Sequence, residues 1–409
     1  MKSIILLVSS ILTTATMISC ATGEKTTLSN GKTSGPGASI DNVTYIETDN
    51  SNNPFWGNLF IEVCRNSEAE NICISPLSAQ FALSMTANGA TGETQKEMYS
   101  TMRMESDMNT AAKETIERLT ECKYECEVNI ANSIWINEKL DVKQKFIDTN
   151  KEFFNALVTT APFNMETLHA INSWCSENTK GKIKSAIDEI KRNDRMYLIN
   201  ALYFKGGWKD EFNKSMTKEM PFTKEDCSIV RVPMMNQSIR TQYYEDSVIQ
   251  IVAKLFDTTY QMLLILPADG VATEEATAHL SSNYEKILEE MSTYQVTLSM
   301  PKFQSDFGTS LKEPLAKMGM PRAFSRSAQF DGISDEPLYI DDVFQKTFIK
   351  VDETGAEAAA LTVVRTGLLA SNQRPKERIV NLDRPFIYLI TDYKPENILF
   401  IGKVGNPNE

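Results

Sequence analysis

The chain has 409 residues, 54 acidic against 42 basic side chains, a net charge of -12 and two histidines. This acid excess disfavours nucleic-acid binding and electrostatic adhesion to anionic lipid. His169 and His279 stand in no Cys or His spacing that suggests zinc and in no Gly-x-Ser-x-Gly or His-Glu-x-x-His setting, so no metal, cofactor or hydrolase centre is expected.

Met1-Lys2-Ser3 is followed by an apolar run over 4–8 and by small or apolar residues to Ser19. That is shorter than the roughly 18 apolar residues of a spanning helix and reads as a signal segment, residues 1–19. It ends in Met17-Ile18-Ser19-Cys20, which resembles the bacterial lipobox. Cys20 is therefore the expected lipidated N-terminus of an exported lipoprotein of the bacterial cell envelope, facing periplasm or exterior. A conventional signal peptide cut near Ala15 or Ala21 is the alternative. Residues 20–53 are rich in Thr, Ser, Gly, Asn and Lys and carry too little apolar surface to fold alone. They read as a flexible tether with a reach on the order of 30 Å. No other stretch is long and apolar enough to cross a bilayer, so membrane attachment falls to the lipid at Cys20.

The remainder, residues 54–409, is long enough for one large mixed domain or two ordinary ones. Phe55, Leu59, Phe60 and Val63 share a helical face, and Asn71-Ile72-Cys73-Ile74 reads as a short buried strand. Ser75 is placed to cap the next helix and Pro76 suits its first position, with Leu77, Phe81 and Met85 forming its apolar stripe. Residues 129–137 and 198–204 read as strands, and Ile171, Trp174, Cys175 and Asn178 mark a helix ending at Gly181. Residues 262–266 form a continuous apolar run stopped by Pro267, the pattern of a strand buried on both faces. Val296, Leu298 and Met300 alternate with polar residues. Helices dominate the first half and strands the second, which predicts an α+β fold around large sheets. Besides Cys20 there are Cys64, Cys73, Cys122, Cys126, Cys175 and Cys227; sequence does not choose among their pairings, Cys122 and Cys126 are the nearest pair, and a head this large favours free thiols.

Residues 351–370 read both as an exposed loop and as a strand waiting for a sheet. Every second residue from Ala356 gives Ala356, Ala358, Ala360, Thr362, Val364, Thr366 and Leu368, an uncharged set that can face a core, while Glu357 and Arg365 fall on the other parity. Ala356, Ala358, Ala359 and Ala360 leave room for entry between two strands, and no proline removes a ladder donor before Pro375.

Taken together these segments resemble the serpin family over about 55–407. The motifs include Asn71 to Ser78, Ile171-Asn172-Ser173-Trp174, Leu198-Ile199-Asn200-Ala201-Leu202-Tyr203-Phe204-Lys205-Gly206, Val232-Pro233-Met234-Met235, Ser299-Met300-Pro301-Lys302-Phe303, Asp383-Arg384-Pro385-Phe386 and Phe400-Ile401-Gly402-Lys403-Val404. The resemblance implies three β-sheets, about nine helices and an exposed reactive loop from Gly355 to about Pro375. It also implies a suicide inhibitor of serine endopeptidases, with papain-like cysteine endopeptidases as further targets. A protease attacks the loop, forms an acyl-enzyme, and is trapped when the cleaved loop inserts into the main sheet.

Carried over residue by residue, Glu353, Gly355, Ala356, Glu357, Ala358, Ala359 and Ala360 form the hinge. Ala356 departs from the small hydroxyl residue the family prefers there. The reactive bond falls between Leu369 and Ala370, with Leu368 the next choice and Arg365 a cut that gives substrate behaviour; Pro375 shields Arg374. A leucine at this bond suits proteases of the chymotrypsin, elastase or cathepsin G kind. Trp208, Lys302 and Glu353 correspond to the top of the opening sheet, and Ser75, Ser78 and Asn200 to the polar cluster lower down, where Gln345 replaces a frequent histidine. A monomer that is not an enzyme is expected. The alternative is a non-inhibitory serpin acting as a binding or chaperone module, which tends to carry bulky, charged or proline residues in the hinge.

Overall fold

A computed structural model of the chain describes residues 53–104, 108–120, 126–191, 193–256, 259–356, 376–393 and 397–409. The predicted signal segment, Cys20, the tether to residue 52, hinge residues 357–360 and the bond between Leu369 and Ala370 lie outside the described residues.

Nine α-helices occur among the described residues: α1 (Phe55–Arg65), α2 (Pro76–Ala87), α3 (Gly92–Met102), α4 (Asn109–Thr120), α5 (Gln144–Phe154), α6 (Met165–Asn178), α7 (Thr273–Ser282), α8 (Tyr284–Glu290) and α9 (Lys312–Lys317). The strands are β1 (Asn71–Ile74), β2 (Glu127–Asn137), β3 (Leu157–Ala161), β4 (Met196–Gly207), β5 (Lys218–Thr223), β6 (Ile229–Glu245), β7 (Ile249–Leu255), β8 (Tyr260–Pro267), β9 (Ser292–Pro301), β10 (Phe303–Ser310), β11 (Asp342–Asp352), β12 (Gly355–Ala356), β13 (Glu377–Asn381), β14 (Phe386–Asp392) and β15 (Ile398–Val404).

Local chemistry explains the helix starts. Ser75 Oγ accepts the amide of Ser78 at 3.2 Å and Pro76 opens α2 where its missing N–H costs nothing. Asn164 caps α6 by accepting the amides of Glu166 and Thr167. The stripe read on α2 is wider than the sequence suggested: every residue of the helix except Gln80 is buried. Ser84 and Thr86 survive this burial by donating to the carbonyls of Gln80 and Ala82.

Two sheets carry the fold. One runs β1-β15-β14-β8-β7-β6-β9-β13, with β5 on β6, and the other β10-β11-β12-β4-β2-β3. Two of the three sheets implied by the serpin resemblance are thus joined. The 17-residue β6 pairs with β5 through Ile229 to Met234, with β9 through Met234 to Tyr243, and with β7 from Tyr243 onward. Every residue of β8 is buried between β7 and β14, as the apolar run predicted. The polar parity of β9 is drier than its alternation implied, because Ser299 is buried and donates to Asn236 at 2.8 Å. The six-stranded sheet presents one face to α6 through Trp135, Phe163, Ile171, Tyr197 and Ile199, and its other face to the main core.

Cys64, Cys73 and Cys175 are free thiols, and burial pushes the Cys73 thiol up to about 11, which keeps it protonated and inert. Cys227 corrects the free-thiol expectation, since it is disulfide-bonded.

Candidate functional site

The site is the seam between β4 and β11. Over its lower half the two strands pair directly and in parallel, Asp342 with Tyr197 through Lys346 with Ala201. At the top they are held apart by the two residues of β12, which pair antiparallel to both: Ala356 and Gly355 face Val351 and Asp352 on one side and Gly206 and Gly207 on the other. Between these levels, Thr347 to Lys350 and Leu202 to Lys205 share no ladder among the described residues. The seam is zipped below and parted above. Gly355 adopts φ 153°, which glycine tolerates, and Ala356 is wholly buried. A Cβ at Gly206 would lie 2.9 Å from the Phe204 ring and 3.0 Å from the Cys126 sulfur, so the strand facing Ala356 has no room to grow.

The chain entering β12 is fixed by main-chain bonds. The amides of Trp208 and Phe212 donate to the carbonyls of Thr354 and Glu353 at 2.8 and 2.9 Å, and the Trp208 indole N–H donates to the Asp352 carbonyl at 2.9 Å. The Trp208 ring stacks on Phe256 at 4.4 Å. Glu353, 4% exposed, receives Lys302 Nζ at 2.6 Å and the Thr217 hydroxyl at 2.8 Å. Burial raises its pKa, but Lys302, a main-chain amide and Thr217 outweigh burial and hold the carboxyl below its ordinary range.

Below, both strands are pegged to the start of α2. Gln345 on β11 makes a two-way bond with the Ser75 backbone, accepting its amide and donating to its carbonyl, each at 2.8 Å. Asn200, the register partner of Gln345 on β4, accepts from the Ser78 hydroxyl and donates to Asn132 Oδ1 at 2.6 Å. No side-chain bond crosses directly between Gln345 and Asn200 among the described residues; each strand is tied to the helix behind it. Thr347, one level higher, donates to the Cys73 carbonyl of β1 at 2.8 Å.

The geometry therefore gathers Trp208, Lys302, Glu353, Gly355 and Ala356 at the top and Ser75, Ser78, Asn200 and Gln345 lower down, while Glu357, Ala358, Ala359, Ala360, Leu369 and Ala370 lie outside the described residues. Sequence reading missed Thr217, Asn132, Thr347 and Lys254. Lys254 is buried on β7, its ammonium 5.0 and 4.3 Å from the ring centres of Trp208 and Phe212, and donates to the Asp210 carbonyl at 2.7 Å and to Gln237 Oε1 at 2.8 Å. Burial pushes it down to about 7, against the opposing charge of Asp210. The available signal was a lone lysine inside the apolar run of 249–255.

With this arrangement established, its relatives are informative. Human serpin I2 is 31% identical over 372 residues, covering 87% of this chain and 91% of that protein. The native crystal structure of the thermophilic serpin tengpin superposes with a TM-score of 0.78 at 31% identity, covering 89% and 96% of the two chains. A thyroxine-binding globulin in complex with thyroxine superposes at 0.77 with 30% identity, covering 88% and 98%. The family model for serpins, serine protease inhibitors, matches residues 50–407. A chain that carries this match over most of its length, together with a strand-deep wedge at the top of its central seam, belongs to the serpin family.

Proposed function

We propose that this serpin is a suicide-type inhibitor of serine endopeptidases with apolar primary pockets, of the chymotrypsin, elastase or cathepsin G kind, with papain-like cysteine proteases as further targets. Serpins are in general protease inhibitors rather than enzymes. In this reading residues 1–19 are a signal peptide, Cys20 carries a lipid that anchors the protein in the cell envelope, 20–53 is a tether and 54–409 the inhibitory head.

The observation that carries the proposal is β12, two residues of a strand already seated antiparallel between β4 and β11. Insertion of the cleaved loop would extend it downward. It would exchange the parallel pairs between β4 and β11 for two antiparallel ladders, and antiparallel pairing is the more stable per residue. It would also bury Ala358, Ala360, Thr362, Val364, Thr366 and Leu368, which supplies further drive. The uncut native state is then kinetically rather than thermodynamically protected. The small residues of the hinge support this reading over that of a binding module.

The test incubates the chain from Ala21 onward with chymotrypsin-like, elastase-like, trypsin-like and papain-like proteases. An SDS-stable complex and a released C-terminal peptide starting at Ala370 are expected. Cleavage without a trapped complex across the panel overturns the inhibitor reading in favour of a binding module. A358R places a charge on the inward parity and converts the inhibitor to a substrate; unchanged trapping removes Ala358 from the hinge.

A further inference from the structure

A recess of about 380 Å³ opens at the foot of the seam, lined by Lys139, Arg195, Arg326, Tyr339, Leu338 and Asn193 among others. Its volume suits a small ligand. Outside the recess, Arg118 pairs with Asp392 at 2.9 Å and Lys403 with Glu225 at 3.2 Å. Here the side chains of Lys139, Arg195 and Arg326 have no carboxylate and no hydrogen-bond partner among the described residues, in a protein with twelve more negative than positive charges. The two nearest acids are turned to other tasks. Asp341 accepts the amides of Arg195 and Met196, and Asp194 accepts the Lys191 amide at 2.9 Å and the Tyr197 hydroxyl. Arg195, Arg326 and Tyr339 line the same recess; burial and the charges of Asp341 and Asp194 raise the Tyr339 pKa while the two guanidiniums oppose them.

The recess also joins the two strands of the seam. Arg195 directly precedes β4, and its carbonyl accepts the Asn137 amide at 2.9 Å. Tyr339 leads into β11, and the segment carrying Arg326 is tied to that approach by the Ile340 amide donating to the Ala323 carbonyl at 2.9 Å. Guanidiniums bind phosphate oxygens in a forked geometry that favours multivalent oxyanions over chloride. We propose that this recess binds a compact polyvalent oxyanion of the pyrophosphate or phosphate-monoester class through Arg195 and Arg326, with Lys139 on the rim, and that its occupation holds the lower seam closed. The second clause rests on the inhibitor reading; the first does not. Continuing the register of β12 along β4 brings Thr366 opposite Met196 and Leu369 opposite Asn193, so the cut end of an inserted loop arrives at this recess.

The test titrates the full chain with inorganic pyrophosphate and with phosphate by calorimetry, at ionic strength held constant with chloride. Saturable binding of one pyrophosphate, tighter than phosphate, is expected. The R195Q/R326Q variant should bind at least about tenfold more weakly, as loss of charge-assisted contacts requires. R326Q alone, on an exposed side chain that cannot upset folding, should weaken binding by a smaller factor, and K403Q should bind normally. A response to pyrophosphate no larger than to chloride, or unchanged binding in the double variant, overturns the site. Vesicles of phosphatidylglycerol that compete for the wild type and not for the double variant overturn the free-anion assignment in favour of a lipid headgroup. In the trapping assay, pyrophosphate should lower the ratio of trapped to cleaved chain in the wild type and not in the double variant. An unchanged ratio overturns the coupling while the binding result stands, whereas absence of trapping under all conditions counts against the inhibitor reading alone.

Discussion

In the middle of the nine-stranded sheet, β8, β14 and β15 are buried along their whole lengths, and Leu264, Ile265, Leu389, Ile390 and Ile401 meet with no polar partner to rearrange. At a comparable depth in the six-stranded sheet, the seam buries Ser75, Ser78, Asn132, Asn200, Gln345 and Thr347. Close-packed apolar strands part only with loss of every dispersion contact. Hydrogen bonds to a fixed peg can be handed to a newcomer strand or to water at far smaller net cost. In the proposed mechanism the molecule thus gathers polar residues along the seam that opens, whereas in the closed strands the buried polar side chains Gln261, Thr391, Asp392 and Lys403 sit toward the strand ends.

Three substitutions would break or sharpen that contrast. The largest effect is expected from Leu389→Ala in β14, a cavity in the closed sheet costing about 2–5 kcal/mol. Chemical denaturation should show this loss in native and loop-cleaved protein alike, and a loss confined to the native form would contradict the division of labour. Gln345→Ala leaves the Ser75 amide unpartnered and its carbonyl with the Ala79 amide alone, worth about 1–3 kcal/mol. This cost should fall mainly on the uncut form and appear as faster spontaneous conversion to an inserted state on native gels. The smallest effects are expected at the top. Glu353→Gln removes an ion pair with a part-exposed lysine, worth up to about 1 kcal/mol. Because the Glu353 carboxyl is held below its ordinary 4.5, its stabilising charge is fully present above that value and lost as pH falls through the lowered one. Acid melting of the wild type should be steeper than that of the variant.

Lys254 offers a fourth test with the opposite slope. Its pKa in the fold, about 7, lies below the ordinary 10.5, so between these values the unfolded chain binds the extra proton and stability rises with pH. Thermal unfolding of K254M should lack this rise, and an identical slope in the variant would remove Lys254 from the account.

Much of the fold was legible because it rests on local chemistry: the Ser75 cap, Pro76 at the first turn, and the apolar run that becomes β8 each act within a few residues. The alternating apolar set from Ala356 likewise announced a strand. What local pattern does not contain is the partner. Nothing near Ala356 states that Gly206, some 150 positions earlier, already pairs with it, nor that β6 continues from one sheet into another. Lys254 went unread because the two rings and two oxygens that accommodate it come from residues 208–237. The width of α2's buried face was hidden for a related reason. Ser84 and Thr86 bond back to their own helix, and composition alone counts them as polar.

The two-residue β12 has a kinetic meaning. Adding a strand to a sheet is slow chiefly at nucleation, when backbone is ordered before ladder bonds accumulate, and for the proposed insertion that first step is already made by Gly355 and Ala356. The remaining barrier is propagation through five residue pairs, Asp342 with Tyr197 to Lys346 with Ala201. Under the proposed inhibitory mechanism, the race between trapping a protease and releasing it is timed by how fast a short parallel ladder unzips from the top, and a single added or lost pair at that fork would alter the outcome more than any change in the loop's affinity for the enzyme.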